Sequence, residues 1–351
     1  MKARQTALRI GIVFLAAATT LSAASPAEAK LELATKDGKY KARLGGRFQT
    51  RLTLVQPGAD GALSELGFSI PRARLKLGGT AFTEGLSYNF QVGFGKGKAS
   101  LKDYFVTYFV SDSFGIRVGQ SKMPFSRQQL TSTTRQAMVD RPMTEKAFGT
   151  GRDIGLYLLS NVKKSNLEWA VGFFNGTGEN TVTTQLRPTI VGRIGYHSDG
   201  MKGYSEGDLE GGAFRWAAAA NFKLNLDMDN GSPRTETLQS GVDFMIKAHG
   251  FSATGGVFLG LTGPTVGDLE LEAIGAYAQA MYLIGGVYMP AVSWATVMRQ
   301  GDDNDEMSVS GGFSILIFGN HNLKWANDVR ATLPEVGDTN IMVSSQFEMA
   351  Y

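Results

Sequence analysis

The chain has 351 residues, with 35 Lys+Arg against 32 Asp+Glu, 44 glycines, 21 phenylalanines and no cysteine. Without cysteine there is no disulfide framework, thiolate nucleophile or cysteine metal site, so stability must come from the fold itself. A formal net charge of +3 says little about partners; where the charge sits along the chain says more.

The first residues combine Lys2, Arg4 and Arg9, an apolar run from Ile10 to Leu21 and the small-x-small triplet Ala27-Glu28-Ala29. This is the three-part pattern of a secretory signal peptide, and the apolar run is too short to span a bilayer as a helix. Cleavage after Ala29 is expected, leaving one exported domain over residues 30–351. Removing residues 1–29 takes away three basic residues and Glu28, so the mature balance is 32 against 31, a net of +1.

From there the sequence alternates with the period of a β-strand. In YKARLGGRFQTRLTLV (40–55), Lys41, Arg43, Arg47 and Arg51 take odd positions while Tyr40, Ala42, Leu44, Phe48, Leu52 and Leu54 take even ones. A strand places these two sets on opposite faces. Similar segments are expected near 40–55, 68–78, 86–94, 101–110, 114–121, 153–160, 166–175, 189–197, 213–225, 238–249, 251–260, 271–282, 288–299, 307–318, 322–332 and 340–351, sixteen in all. The connections 95–100, 122–152, 176–188, 226–237, 261–270 and 300–306 are polar, whereas 111–113, 249–250, 285–286 and 319–321 read as tight turns; residues 198–212 break this pattern. An even number of antiparallel strands, with polar loops at one end and tight turns at the other, predicts an all-β, 16-stranded antiparallel transmembrane β-barrel of the outer membrane of a Gram-negative bacterium.

Two stretches test that reading. Ala273 to Met298 has no charged residue and is long enough for a membrane helix, but Gly285-Gly286 and Pro290 interrupt it, which suits two lipid-facing strands and a turn. At the C-terminus, Ile341, Val343, Phe347, Met349 and Tyr351 share one face with Ser345 as the gap. This is the row a closing barrel strand needs, and it resembles the signal read by the outer-membrane assembly machinery.

With the apolar row on lipid, Lys41, Arg43, Arg47 and Arg51 face the lumen, joined by Arg72, Arg74 and Lys76 of the next strand and by Arg117. Like charges on one face of a strand lie about 7 Å apart and repel by roughly 0.6 kcal/mol in water. A mobile anion would relieve that repulsion, and arginine's fork suits oxyanions. The alternative is that these side chains are simply solvated, or paired across the lumen with acids such as Asp103, Glu168 and Asp243. The long connection between Lys122 and Arg152 carries Arg127, Arg135, Arg141, Lys146 and Arg152 against Asp140 and Glu145. It is expected to fold inward as a constriction; otherwise it is an extracellular loop against lipopolysaccharide or a neighbouring subunit.

The motifs PRARLKLGG (71–79), LSYNFQVGF (86–94), LKDYFVTYF (101–109), RVGQSKMPF (117–125) and FGTGRDIGLYL (148–158) resemble the phosphate-selective porins O and P, with a looser likeness toward the C-terminus. The resemblance implies a homotrimer of sixteen-stranded barrels with inward loops and an arginine-lined path for phosphate or polyphosphate; Arg72, Arg74, Lys76 and Arg117 lie in the matching motifs.

Other signals are weak. VGFGKGKAS (92–100) lacks the spacing of a phosphate loop. His197, His249 and His321 are scattered at strand ends, and DMDNG (227–231) and GDDNDE (301–306) lack a full calcium-ligand pattern, so no metal site or other cofactor is expected. No serine, histidine and acid set stands out, so no enzyme is expected, and no nucleic-acid partner. The resulting expectation is a passive porin for small, phosphate-like anions, with a non-selective porin or a plugged structural or adhesive barrel as alternatives.

Overall fold

Residues 31–58, 62–182, 187–201, 203–228, 235–301 and 304–351 are described by the computed structural model. The expected signal peptide lies outside them, as do parts of DMDNG and GDDNDE. The alternating segments form strands β1 (Leu31–Ala34), β2 (Lys41–Pro57), β3 (Glu65–Ala81), β4 (Thr83–Gly93), β5 (Ser100–Ser111), β6 (Phe114–Lys122), β7 (Arg152–Leu159), β8 (Leu167–Phe174) and β9 (Thr189–His197). The second half supplies β10 (Arg215–Asn225), β11 (Glu236–Ala248), β12 (Phe251–Gly263), β13 (Glu270–Tyr282), β14 (Tyr288–Arg299), β15 (Glu306–Leu316), β16 (Leu323–Pro334) and β17 (Asn340–Ala350).

Each strand from β2 to β17 pairs antiparallel with the next, and β17 pairs back onto β2 from Asn340↔Pro57 to Ala350↔Arg47. The sixteen expected segments therefore close into a barrel, in which each of them has a paired neighbour on both sides, the closure a bilayer demands of a sheet. The four-residue β1 was not anticipated, being too short to show a period. It pairs with Lys41 to Leu44 on the edge of β2 that β17 leaves uncovered.

The alternation also sets sidedness. On β17, Phe347 and Met349 are exposed on the outer face while Gln346 and Glu348 are buried inside, and Ser345, the polar gap in the outer row, accepts from the Trp325 indole at 2.9 Å. The last ring, Tyr351, lies over Gly46, where any Cβ would overlap it at 2.6 Å. Between β2 and β3 the register shifts, Gln49 opposing Arg72 but Arg51 opposing Ser69. Pro71 sits in this bulge, where the missing N–H costs no ladder bond, while Lys76, Arg74 and Arg72 oppose Gly45, Arg47 and Gln49 in unbroken register on one face.

Ala273–Met298 is two strands, β13 and β14, turned at Gly285 and Gly286 with φ +60° and +73°, the left-handed conformation that a tight hairpin requires. The two ends of the barrel are unequal. One carries the connection 123–151, with α1 (Arg127–Leu130) and α2 (Thr144–Phe148); the other carries tight turns, the end that faces the periplasm in outer-membrane barrels. The exception at that second end is the connection 198–214.

Candidate functional site

Loop backbone carries N–H and C=O groups that cannot be buried without partners. The connection 123–151 is nonetheless buried, because the wall supplies them. Asp243 accepts from the Arg127 N–H at 3.0 Å and Asp328 from the Val139 N–H at 2.9 Å. Arg193 donates to the Phe125 carbonyl at 2.6 Å, Ser314 to that of Ala137 at 2.8 Å, and Lys324 to those of Thr134 and Gln136 at 3.0 and 2.8 Å. The apolar side of the loop, Met123, Phe125 and Phe148, packs against inward Phe174, Val191, Phe258, Tyr277 and Val297. Gly275 makes room for the Phe148 ring, which a Cβ would meet at 2.3 Å. The loop thus folds inward, as expected, and lies across the lumen against β8 to β16, and that half of the interior is dry rather than wet.

What stays open is the other half. A cavity of about 970 Å³ runs from the loop, at Lys122, Gln129 to Arg135, Arg141 and Arg152, along the wall of β2 to β7, to the tight-turn end at Asn320, Asn322 and Tyr351. Arg47, Arg72, Arg74, Lys76, Arg117, Lys122, Arg135, Arg141 and Arg152 line it against one acidic side chain, Asp103. Nine cationic side chains minus one acidic one leaves a side-chain surplus of eight.

Most of these cations meet neutral acceptors. Arg47 donates to Ser132 and Thr133 hydroxyls at 2.8 and 2.5 Å, Arg72 to Gln49 at 3.0 Å and Arg74 to Gln91 at 3.1 Å. Arg117 donates to Thr107 at 2.8 Å and to the Tyr157 hydroxyl, with its guanidinium 4.2 Å from the centroid of the Phe105 ring. Lys122 donates to the carbonyls of Gln129, Leu130 and Thr131, and Arg141 to those of Gln128 and Thr131. Arg152 is the one held by an acid, in a fork with Asp103 at 2.9 and 3.2 Å. Neutral partners orient a guanidinium without cancelling its charge, so the cavity keeps a positive field.

Five of the expected site residues do not line this cavity. Lys41 stands at the tight-turn end of β2, and Arg43 beside it pairs with Glu32 of β1. Arg51 is taken up by Asp140 at 2.7 and 2.9 Å and by Gln346, so it fastens the loop to the wall. Arg127 is 1 % exposed and 3.4 Å from Asp243, where the α1 backbone turns it into the dry half. Lys146 is exposed on α2, away from the cavity lining. The acids weighed as pairing partners split likewise: Glu168 and Asp243 are bound to Arg193 at 2.7 Å in the dry half, and only Asp103 reaches the open one. His197, at the end of β9, is buried with its Nε2 at 2.7 Å from Glu168.

Charge within the loop follows its burial. Burial pushes the Asp140 carboxyl up, but the Arg51 fork and the charges of Arg330 and Arg72 more than reverse this and hold it below its ordinary value. Burial lowers the Arg141 guanidinium, with Glu145 and Glu206 opposing, and burial raises Glu145, which accepts from Ser126 at 2.7 Å. Lys122 and Glu206 were missed as site residues; the first flanks the loop within RVGQSKMPF, whereas the second lies in a connection without period or motif.

Residues 43–191 match the family model described as phosphate-selective porin O and P. The chain is 24% identical over 252 residues to an uncharacterized protein of Aquifex aeolicus, a match spanning 62% of this chain and 59% of that relative. In structure it is similar to the outer-membrane expressed OmpT of Vibrio cholerae, with TM-score 0.60 at 9% identity over 91% of this chain and 100% of that one. It is similar also to the outer membrane channel DcaP of Acinetobacter baumannii, with TM-score 0.59 at 11% identity over 90% and 99%. The basic wall from Arg47 to Arg117 and the whole connection 123–151 thus fall within a segment that carries the phosphate-selective porin O and P signature, on a barrel with the fold of outer-membrane porins.

Proposed function

We propose that the protein is a passive outer-membrane channel, not an enzyme, that admits small anions and prefers phosphate-like oxyanions. The observation that carries this reading is the side-chain surplus of eight positive charges around one continuous cavity, most of them held by neutral acceptors. Arginine stays charged at any working pH, and its fork suits oxyanions. Several sites in a row can pass an ion along without any one of them trapping it. The family description supports phosphate as the ion.

On this reading, export removes residues 1–29 and leaves residues 30–351 as the barrel domain, and the C-terminal strand engages the assembly machinery. The outer face meets lipid and lipopolysaccharide. A homotrimer is the proposed assembly; a trimer form is described for the Vibrio cholerae protein OmpT, whose fold is similar.

The test is reversal potential across a planar bilayer in a salt gradient, followed by conductance in phosphate against chloride. Anion preference supports the reading, and a potential near zero favours a non-selective porin. The dry half of the lumen favours a second reading, a plugged barrel, which predicts no single-channel conductance.

A further inference from the structure

The connection 198–214 starts at the tight-turn end yet reaches into the lumen and meets the constriction loop there. Its Glu206 is 2 % exposed. The Glu206 N–H donates to the Arg135 carbonyl at 3.0 Å, and its carboxylate accepts from the Ala137 N–H at 2.7 Å, so it clamps the loop on both sides of Gln136. Gln128 of α1 and Gln279 of β13 each donate to the same carboxylate at 2.9 Å. One side chain therefore joins the helix of the loop, the segment 135–137 and the barrel wall. The connection is itself anchored: Asp208 pairs with Arg215 and accepts from the Gly250 N–H at 2.9 Å, and Lys247 donates to the Gly207 carbonyl at 2.8 Å. Glu206 holds the loop because its own position is fixed from below. Arg135, whose carbonyl it grips, is exposed and lines the cavity.

From this geometry we infer that Glu206 is a positioning residue for the constriction: the tight-turn-end connection sets where Arg135 stands in the pathway, and with it the ion preference. The inference rests on the reading that the pathway conducts anions. A buried carboxylate that loses its place leaves three N–H donors without an acceptor, which cost far more buried than exposed, so the loop must move to rehydrate them.

The experiment compares wild type, Glu206→Ala, Arg135→Ala and the double variant as full-length barrels in planar bilayers, reading single-channel conductance, current noise and the anion-to-cation permeability ratio. Expected for Glu206→Ala are higher and noisier conductance and a ratio lowered roughly two- to fivefold, on the order of one displaced charge. Arg135→Ala should lower the ratio in wild type and have little further effect in the Glu206→Ala background; a barrel merely weakened elsewhere would leave the two effects additive. Unchanged conductance and additive effects overturn the inference. A wild type without anion preference overturns the functional reading instead, and the conductance and noise of Glu206→Ala then decide the positioning role alone. Should Glu206→Ala not yield a folded barrel, Gln279→Ala removes one wall contact and Glu206→Gln keeps the volume while turning an amide donor toward other donors; both should raise the noise in the same direction.

Discussion

Arg74 offers the most direct measure of the basic wall. It lines the cavity and donates to the neutral Gln91, with no acid among the described residues in ion-pair contact with it. An ion passing about 6 Å from the guanidinium in a water-like dielectric gains or loses about 0.7 kcal/mol, depending on its sign. The anion and cation shifts are opposite, so removing the charge changes their difference by about 1.4 kcal/mol, a factor of about ten. At 0.1 M salt the Debye length is about 10 Å, which cuts the effect by roughly half and leaves about fourfold. Arg74→Gln, which keeps much of the volume, should therefore lower the anion-to-cation permeability ratio about fourfold at 0.1 M salt, and by less at 1 M, where screening acts within about 3 Å. Reversal potentials at both concentrations read this out. Arg43→Gln is the control, since Arg43 is paired with Glu32 outside the cavity. A ratio unchanged in Arg74→Gln, or lowered equally in Arg43→Gln, would refute the assignment of the field to the cavity-lining cations.

Arg51→Ala should act on the loop rather than on the field, because it strips Asp140 of its fork; increased current noise and faster proteolysis within 123–151 are the expected signs. The same bridge sets a pH dependence. Asp140 is held below its ordinary value when folded, so its stabilisation is present above the unfolded carboxyl value of about 3.9 and is lost as pH falls through the folded one. The part of the noise that depends on Arg51, read as the difference between wild type and Arg51→Ala, should stay level from neutral pH to about 5 and change only below about 4, and a change in that difference near pH 6 would count against this bridge. Phe125→Ala empties a fully buried site beside Phe258, with ring centroids 5.9 Å apart. Such a truncation costs about 3–5 kcal/mol when the site cannot collapse, and hydrogen exchange at 123–151 should quicken while the β2 to β6 strands stay protected.

The barrel strands were legible because their signal is local. In β2, every second residue from Arg47 to Arg51 faces inward and the intervening ones face lipid, a pattern that needs no knowledge of any other strand. The cavity wall at Arg47, Arg72, Arg74, Lys76 and Arg117 followed from the same alternation, carried across the strand pair by the register of Arg47 with Arg74. The limits of that logic show at Arg51 and Arg127, which obey the local pattern or composition yet are bound by acids 89 and 116 residues away in sequence, Asp140 and Asp243.

Period and composition alone determined the number of barrel strands, their facing and the end at which the connections lengthen, since each depends on one residue and its near neighbours. Only the tertiary structure decided that the lumen has a dry half and a charged half, because that depends on which wall side chains satisfy a buried loop backbone. The same is true of Glu206: a carboxylate in an aperiodic connection acquires its place only when the loop from the opposite end of the barrel folds down to meet it.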